Sequence, residues 1–379
     1  MIRKFALSLL LLFVLFLAGC WNREELNEVA IVTGIGVDKG TPEEGFVLTY
    51  QVVAPRTAAL TKQSSESGGN GPIILYKGSG KTLFEATRRT APKLPRRLFF
   101  SHSRLFVISE KVANDGIGDL LDFIERNDEF RPTMQLFIAR NSDAYNLLKA
   151  STPLDKISSN SIVEETRLSQ KIWGNNLQVT LGEYLTNPQI PTVIPGLQLS
   201  GSDVKVSGLA VMNDQKLADW IEEPEARGLL WIKNKIRSTV VSLGCKPKQN
   251  GVGLVITRSD TKVRALMTTN QPSIQIQVTA EASIGEDDCA IDLTDPDEIT
   301  KLEKKMSNQI KSEIDAVILQ EQHKKLDVFG FGGTVMRSDK RYWHEIKDEW
   351  KDLFSQVAVK VEVASVIRRS GMRSKSFST

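Results

Sequence analysis

The hydrophobic pattern is directional from the first residues. Arg3 and Lys4 precede an apolar run from Phe5 to Ala18 broken only by Ser8, and polarity returns at Asn22-Arg23-Glu24-Glu25. Charge, then an apolar stretch, then small residues is the order of a secretory signal. The run falls short of the roughly 20 residues that cross a bilayer, so residues 1–19 read as a signal peptide. Beyond it the pattern turns to strands. Apolar, β-branched segments from Glu28 to Asp38 and from Phe46 to Ala54 are separated by Lys39-Gly40-Thr41-Pro42-Glu43-Glu44-Gly45, which predicts a strand pair. A loop rich in Ser and Gly runs from Thr57 to Pro72, and a third strand follows from Ile73 to Lys77. Helical spacing appears from Leu83 to Arg89, at Ile117, Leu120, Leu121 and Ile124, and from Ala144 to Ala150. Short apolar runs at Arg104 to Ser109 and Met134 to Ala139 have the length of strands.

The stretch Pro188 to Gly196 holds three prolines in nine residues, cannot continue a helix, and reads as a linker or extended segment with a domain boundary. After it, Val204 to Met212 and Gly228 to Lys233 flank Asp214 to Ala226. Strands at Thr239 to Leu243, Val252 to Thr257, Lys262 to Met267 and Ile274 to Ala282 then predict another sheet. From Pro296 a long helix carries Ile299, Leu302, Met306, Ile310, Ile314 and Val317 on one stripe. A second amphipathic helix holds Trp343, Ile346, Trp350 and Phe354. The last strand alternates as Val357, Val359, Val361 and Val363, with Lys360 and Glu362 pointing away. The expected fold is mixed α/β of the α+β kind, with several sheets flanked by helices in an elongated, multi-domain molecule. An N-terminal α/β domain is expected over 20–195 and a C-terminal region over 196–379, divisible at about 200–235 and 236–379.

Charge narrows the partners. The 379 residues include 49 basic and 46 acidic ones. Removing the signal leaves 47 against 46, a balance that steers the mature chain toward no polyanion and excludes nucleic acid as its natural partner. Cysteine changes the picture more. Leu17-Ala18-Gly19-Cys20 looks like the lipobox of bacterial lipoproteins, with small residues for a peptidase cleft and a thiol to carry S-diacylglycerol before N-acylation of Cys20. Two or more acyl chains suffice for stable anchoring to a bilayer. The remaining pair, Cys245 and Cys289, could form one disulfide in an extracytoplasmic setting.

Candidate chemistry is sparse. Gly78-Ser79-Gly80-Lys81-Thr82 resembles the end of a phosphate-binding loop, but Leu75 stands where its first glycine belongs. Gly34-Ile35-Gly36 lies within a strand and lacks the third glycine of a dinucleotide turn, so close backbone packing or a bulge explains it better. His102, His323 and His344 are not at metal-ligand spacing. Asp128 and Glu129 sit between Arg126 and Arg131, where ion pairing accounts for them as well as acid–base work would. The sequence therefore predicts no enzyme, no cofactor and no metal.

Several blocks carry a resemblance. Cys20-Trp21-Asn22-Arg23-Glu24-Glu25-Leu26-Asn27, running on to Gly34-Ile35-Gly36-Val37-Asp38, is similar to the mature start of the Ger(x)C family, the C-subunit lipoproteins of spore nutrient-germinant receptors. Thr82-Leu83-Phe84-Glu85-Ala86, Leu98-Phe99-Phe100-Ser101-His102 and Asp122 to Arg131 resemble the next blocks, with Asn127 where aspartate is commoner. Asp327-Val328-Phe329-Gly330-Phe331-Gly332, the Trp343 and Trp350 region and Val366 to Gly371 resemble the last. The resemblance implies a non-enzymatic, lipid-anchored subunit at the outward face of the spore inner membrane. Two integral membrane subunits would be its partners in nutrient-triggered germination. Lipid on Cys20 would raise its effective concentration for those partners, with the loop from Thr57 to Pro72 and the turn at Phe329 and Phe331 as candidate contacts, buried packing being the alternative for the two aromatics. The alternative is a lipid-anchored solute-binding protein delivering a ligand to a transporter.

Overall fold

The computed structural model describes residues 28–53, 73–150, 156–187, 190–244, 251–267, 271–289 and 291–369. Nine strands share the first sheet: β1 Val29–Lys39, β2 Phe46–Val53, β3 Ile73–Gly80, β4 Arg97–Phe99, β5 Leu105–Ser109, β6 Gln135–Ala139, β7 Thr192–Ser200, β8 Asp203–Asn213 and β9 Lys216–Ile221. Their order is β3-β2-β1-β5-β6-β7-β8-β9, with β4 beside β1. The centre, β1 to β7 through β5 and β6, is parallel, and antiparallel partners extend it at both edges. Six helices cover the two faces: α1 Leu83–Thr90, α2 Glu110–Asp115, α3 Gly118–Glu125, α4 Ala144–Lys149, α5 Ser158–Ile172 and α6 Leu181–Thr186.

The glycines of β1 explain how one face is covered. A Cβ on Gly34 would lie 2.9 Å from Leu148 Cδ2, and one on Gly36 would lie 3.0 Å from both Ala144 Cβ and Leu148 Cδ1. Their absence lets α4 sit directly on the sheet, and a register shift between Val32 and Gly34 adds the bulge. Asp38 completes this contact by accepting hydrogen bonds from the Ala144 and Tyr145 amides at 2.7 and 3.0 Å, the orphan donors of the first turn of α4. Burial pushes the Asp38 carboxyl up, opposed by those two amides.

Four strands form the second sheet in the order β10-β11-β12-β13: β10 Val240–Leu243, β11 Val252–Met267, β12 Pro272–Asp287 and β13 Ala358–Arg369. Between the two sheets in chain order comes α7 Glu225–Ile232, and α8 Pro296–Lys324 is the crossover that makes β12 and β13 parallel. Ile274, Ile276, Val278, Ala280 and Ala282 of β12 are buried in strict alternation, beneath the α8 stripe of Leu302, Met306, Ile310, Ile314 and Val317. Three short helices, α9 Phe331–Ser338, α10 Lys340–Ile346 and α11 Trp350–Phe354, close the end. Among the described residues no helix is long and apolar enough to cross a membrane.

Helices α7 and α8 touch backbone to backbone. A Cβ on Gly228 would stand 2.1 Å from the Glu313 carbonyl oxygen, so only glycine fits. Arg227 donates through Nε to Glu313 Oε2 at 2.8 Å and through Nη2 to Oε1, while Trp231 Nε1 reaches Oε2 at 3.3 Å. Farther along α8, Glu321 is wholly buried, with Lys324 Nζ 3.9 Å away and itself paired with Asp219 of β9. Burial pushes the Glu321 carboxyl up to about 7; Lys324 opposes this and Asp219 adds to it.

Three expectations change. Residues 192–200, read as a linker or extended segment, are the extended strand β7, buried from Val193 to Leu197. Pro195 is tolerated because the β7–β8 register shifts between Pro195 and Leu197, and Gly196 leaves room for Trp220, whose ring would lie 2.4 Å from a Cβ there. The two strands expected at Val252 to Thr257 and Lys262 to Met267 are one, since Arg258, Ser259 and Asp260 pair with Glu281, Ala280 and Thr279 across β12. The aromatic helix is broken in two, α10 and α11. The loop expected from Thr57 to Pro72 lies outside the described residues.

Candidate functional site

A groove of about 1330 Å³ lies between α1 with its following turn and α3 with its following turn. Its first wall starts from the glycines that resemble a phosphate loop. A Cβ on Gly78 would fall 2.1 Å from the Ala86 carbonyl oxygen, and one on Gly80 would fall 2.7 Å from the Ala86 amide. These glycines therefore serve helix-to-strand packing. Thr82 caps α1, its Oγ1 accepting the Glu85 amide at 3.2 Å, while Glu85 accepts the Lys81 amide at 2.9 Å. Leu83, Ala86 and Thr90 turn inward. Phe84, 57% exposed, turns outward with the Arg88 guanidinium 5.0 Å from its ring. Arg96 and Arg97 continue this basic wall.

The facing wall is acidic. In α3, Leu120, Leu121 and Ile124 enter the core, leaving Asp119, Asp122 and Phe123 on the groove. Arg126 Nε donates to both Asp122 oxygens at 2.9 and 3.0 Å, and that bond holds the Asp122 carboxyl below its ordinary range. Asn127 Oδ1 accepts the Glu129 amide at 3.1 Å, so a neutral amide shapes this turn as an aspartate would. Arg97 reaches Glu129 at 3.6 Å, joining the walls. The floor is Phe46, Leu83 and Phe100. Beneath it Tyr50 packs edge-on to Phe100 at 5.7 Å and bonds Thr87 at 3.0 Å; burial pushes its hydroxyl up to about 12.

Five cations and five carboxylates line the groove, together with exposed apolar surface. The described lining residues have no histidine, cysteine or serine among them; charges of both signs and apolar surface predominate. Thr82 to Leu83, Leu98 to Phe100 and Asp122 to Glu129 come from three separated sequence blocks and meet here. The one signal in the sequence for this site is the stretch from Lys77 to Arg104, with eight basic residues and one acidic.

Other residues singled out in the sequence lie elsewhere. His102 is exposed, 5.9 Å from the Phe99 ring, while its neighbour Ser103 is buried and donates to the Val32 carbonyl at 3.2 Å. Phe329 and Phe331 are not a contact surface: they are 9% and 1% exposed, stacked at 4.9 Å and packed against Phe354. Asp327 organises that turn. Its carboxylate accepts the amides of Gly330, Phe331 and Gly332 at 3.0, 2.9 and 2.7 Å and Trp350 Nε1 at 2.9 Å. A Cβ on Gly332 would lie 2.7 Å from the Trp350 nitrogen. Cys20 and Cys245 lie outside the described residues; Cys289, half-buried after β12, is disulfide-bonded.

Comparison with known proteins agrees with this architecture. Residues 22–198 match the spore germination protein N-terminal domain, and residues 207–371 match the spore germination B3/GerAC-like C-terminal domain. Spore germination protein KC of Bacillus subtilis (strain 168) is 32% identical over 98% of this chain and 97% of its own length. Spore germination protein B3 of the same organism is 21% identical over 96% and 97%, and spore germination protein GerQC of Bacillus cereus is 22% identical over 96% and 98%. The crystal structure of the GerBC protein shares the fold, with a TM-score of 0.59 at 19% identity, covering 88% of this chain and 96% of that one.

Proposed function

The chain belongs to the GerAC-like family of spore germination proteins, and from that premise we propose that it is the lipid-anchored, non-catalytic subunit of a nutrient-germinant receptor. The observation that carries this reading is the agreement of both halves of the chain with the two family domains, directly after a lipobox ending at Cys20. In this reading Cys20 receives S-diacylglycerol and an N-acyl chain and holds the protein at the outward face of the spore inner membrane. There it works beside two integral membrane subunits. Its task is recognition, which suits a groove with charges of both signs beside apolar surface. Anchoring restricts the search for partners to a surface, so a modest interface suffices. A solute-binding role is not favoured, because family membership points to germination.

Germination of spores lacking the gene, complemented with wild type or with Cys20→Ala, tests this. The deletion is expected to lose the response to a subset of nutrients, and only the acylated form is expected to restore it. Normal germination of the deletion in a strain stripped of other receptors would refute the receptor role. Full rescue by Cys20→Ala would refute the anchor alone.

A further inference from the structure

We propose that the groove between α1 and α3 is a docking site for a segment of the same chain, Trp21 to Asn27. The chain enters the described structure at Glu28, and Glu28 itself lines the groove. No spacer is needed to bring the preceding residues to it, and seven extended residues reach at most about 25 Å.

The signs of charge match on both sides. A ligand of one sign would gain on one wall what it lost on the other, since Lys81, Arg88, Arg96 and Arg97 stand on one and Asp119, Asp122, Asp128 and Glu129 on the other. Trp21-Asn22-Arg23-Glu24-Glu25-Leu26-Asn27 carries both signs in three consecutive residues. Arg23 complements the wall holding Asp119 and Asp128, and Glu24 and Glu25 complement the wall holding Arg88 and Arg96. Trp21 and Leu26 supply apolar surface for Phe46, Leu83 and Phe100, and cover for the exposed Phe84.

Size agrees as well. A volume of 1330 Å³ is that of a cylinder about 10 Å wide and about 17 Å long, the envelope of about 11 helical residues, so seven residues fit with water to spare. Docking sets Cys20 at the mouth of the groove, and acyl chains there would turn the α1–α3 face toward the bilayer. That orientation rests on the anchoring reading; the docking does not.

A photoreactive benzoylphenylalanine at Phe84 tests the docking directly, in the chain from residue 20 onward carrying Cys20→Ala. Position 84 is exposed, so the replacement leaves the core intact. Irradiation of dilute protein, with peptide mapping by mass spectrometry, is expected to join position 84 to residues 21–27 of the same chain. Glu24→Lys with Glu25→Lys should lower the yield about fivefold, and adding Arg88→Glu with Arg96→Glu should restore it. Crosslinks to a second copy, to added phosphatidylglycerol vesicles or to no segment, or a yield indifferent to charge reversal, would overturn the proposal. Germination and acylation play no part in this readout, so the receptor reading can fail or stand independently.

Discussion

Glu321 is the residue where a single proton matters most. A carboxyl whose folded pKa is raised to about 7 from an ordinary value near 4.5 binds a proton in the folded state that it has lost in the unfolded one. Its stabilising share is complete below about pH 4.5 and is lost as pH rises through about 7, a change of up to about 3 kcal/mol. Urea denaturation should therefore show stability falling across that window. Glu321→Gln should flatten the fall and be the more stable protein at pH 8. Asp327 matters through its bonds instead, accepting four hydrogen bonds in a buried turn. Asp327→Ala should cost about 3 kcal/mol or more in the same denaturation experiment, because it orphans four donors. The sequence showed the close-packing role of Gly34 and Gly36, since glycines inside a strand rarely have another use. It left Phe329 and Phe331 open between contact and burial, because an aromatic in a turn declares its burial only through partners, here Phe354 and Trp350, that lie farther along the chain.

Among elements, the α7–α8 crossing concentrates the most risk. Glu313 is 2% exposed and its partner Arg227 19%, so removing the carboxylate leaves a largely buried guanidinium with the Val240 carbonyl but no counter-charge. Glu313→Ala is expected to lose about 3–5 kcal/mol, and the paired change Arg227→Met with Glu313→Leu considerably less. A double-mutant cycle read by chemical denaturation measures the difference. The periodicity of α8 was plain in its sequence because one stripe repeats through the helix. The continuity of β11 was hidden because Arg258, Ser259 and Asp260 look like a turn. They instead stand on or near the solvent side of a sheet whose other face alone is buried, with a bulge between Ile256 and Arg258 absorbing the irregularity. The groove was hidden for a related reason: its walls come from blocks that meet only once α1 and α3 lie on the same sheet.

At the scale of the whole molecule, the expected division at 195/196 cuts a strand, yet the two family domains meet across residues 199–206, within the β7–β8 hairpin. One continuous set of buried side chains runs from Ala30 in β1 to Val361 in β13, so local unfolding of one sheet should expose the other. We propose that Cys245 is the partner of Cys289. Peptide mapping without reductant should recover that pair, and a Cys245→Ser chain should leave Cys289 free to alkylation. The crossover through α8 also has a consequence for synthesis. β12 must wait for β13, since Ser273 pairs with Ala358 and the register continues to residue 369. Contacts so distant along the chain form late. A chain threaded across a membrane from its N-terminus would therefore hold the Ile274-Gln275-Ile276-Gln277-Val278 edge open until almost its last residues had emerged. A message truncated before Ala358 would leave that edge permanently available to other chains, and its product should aggregate, pelleting on centrifugation, rather than accumulate as a shortened soluble protein.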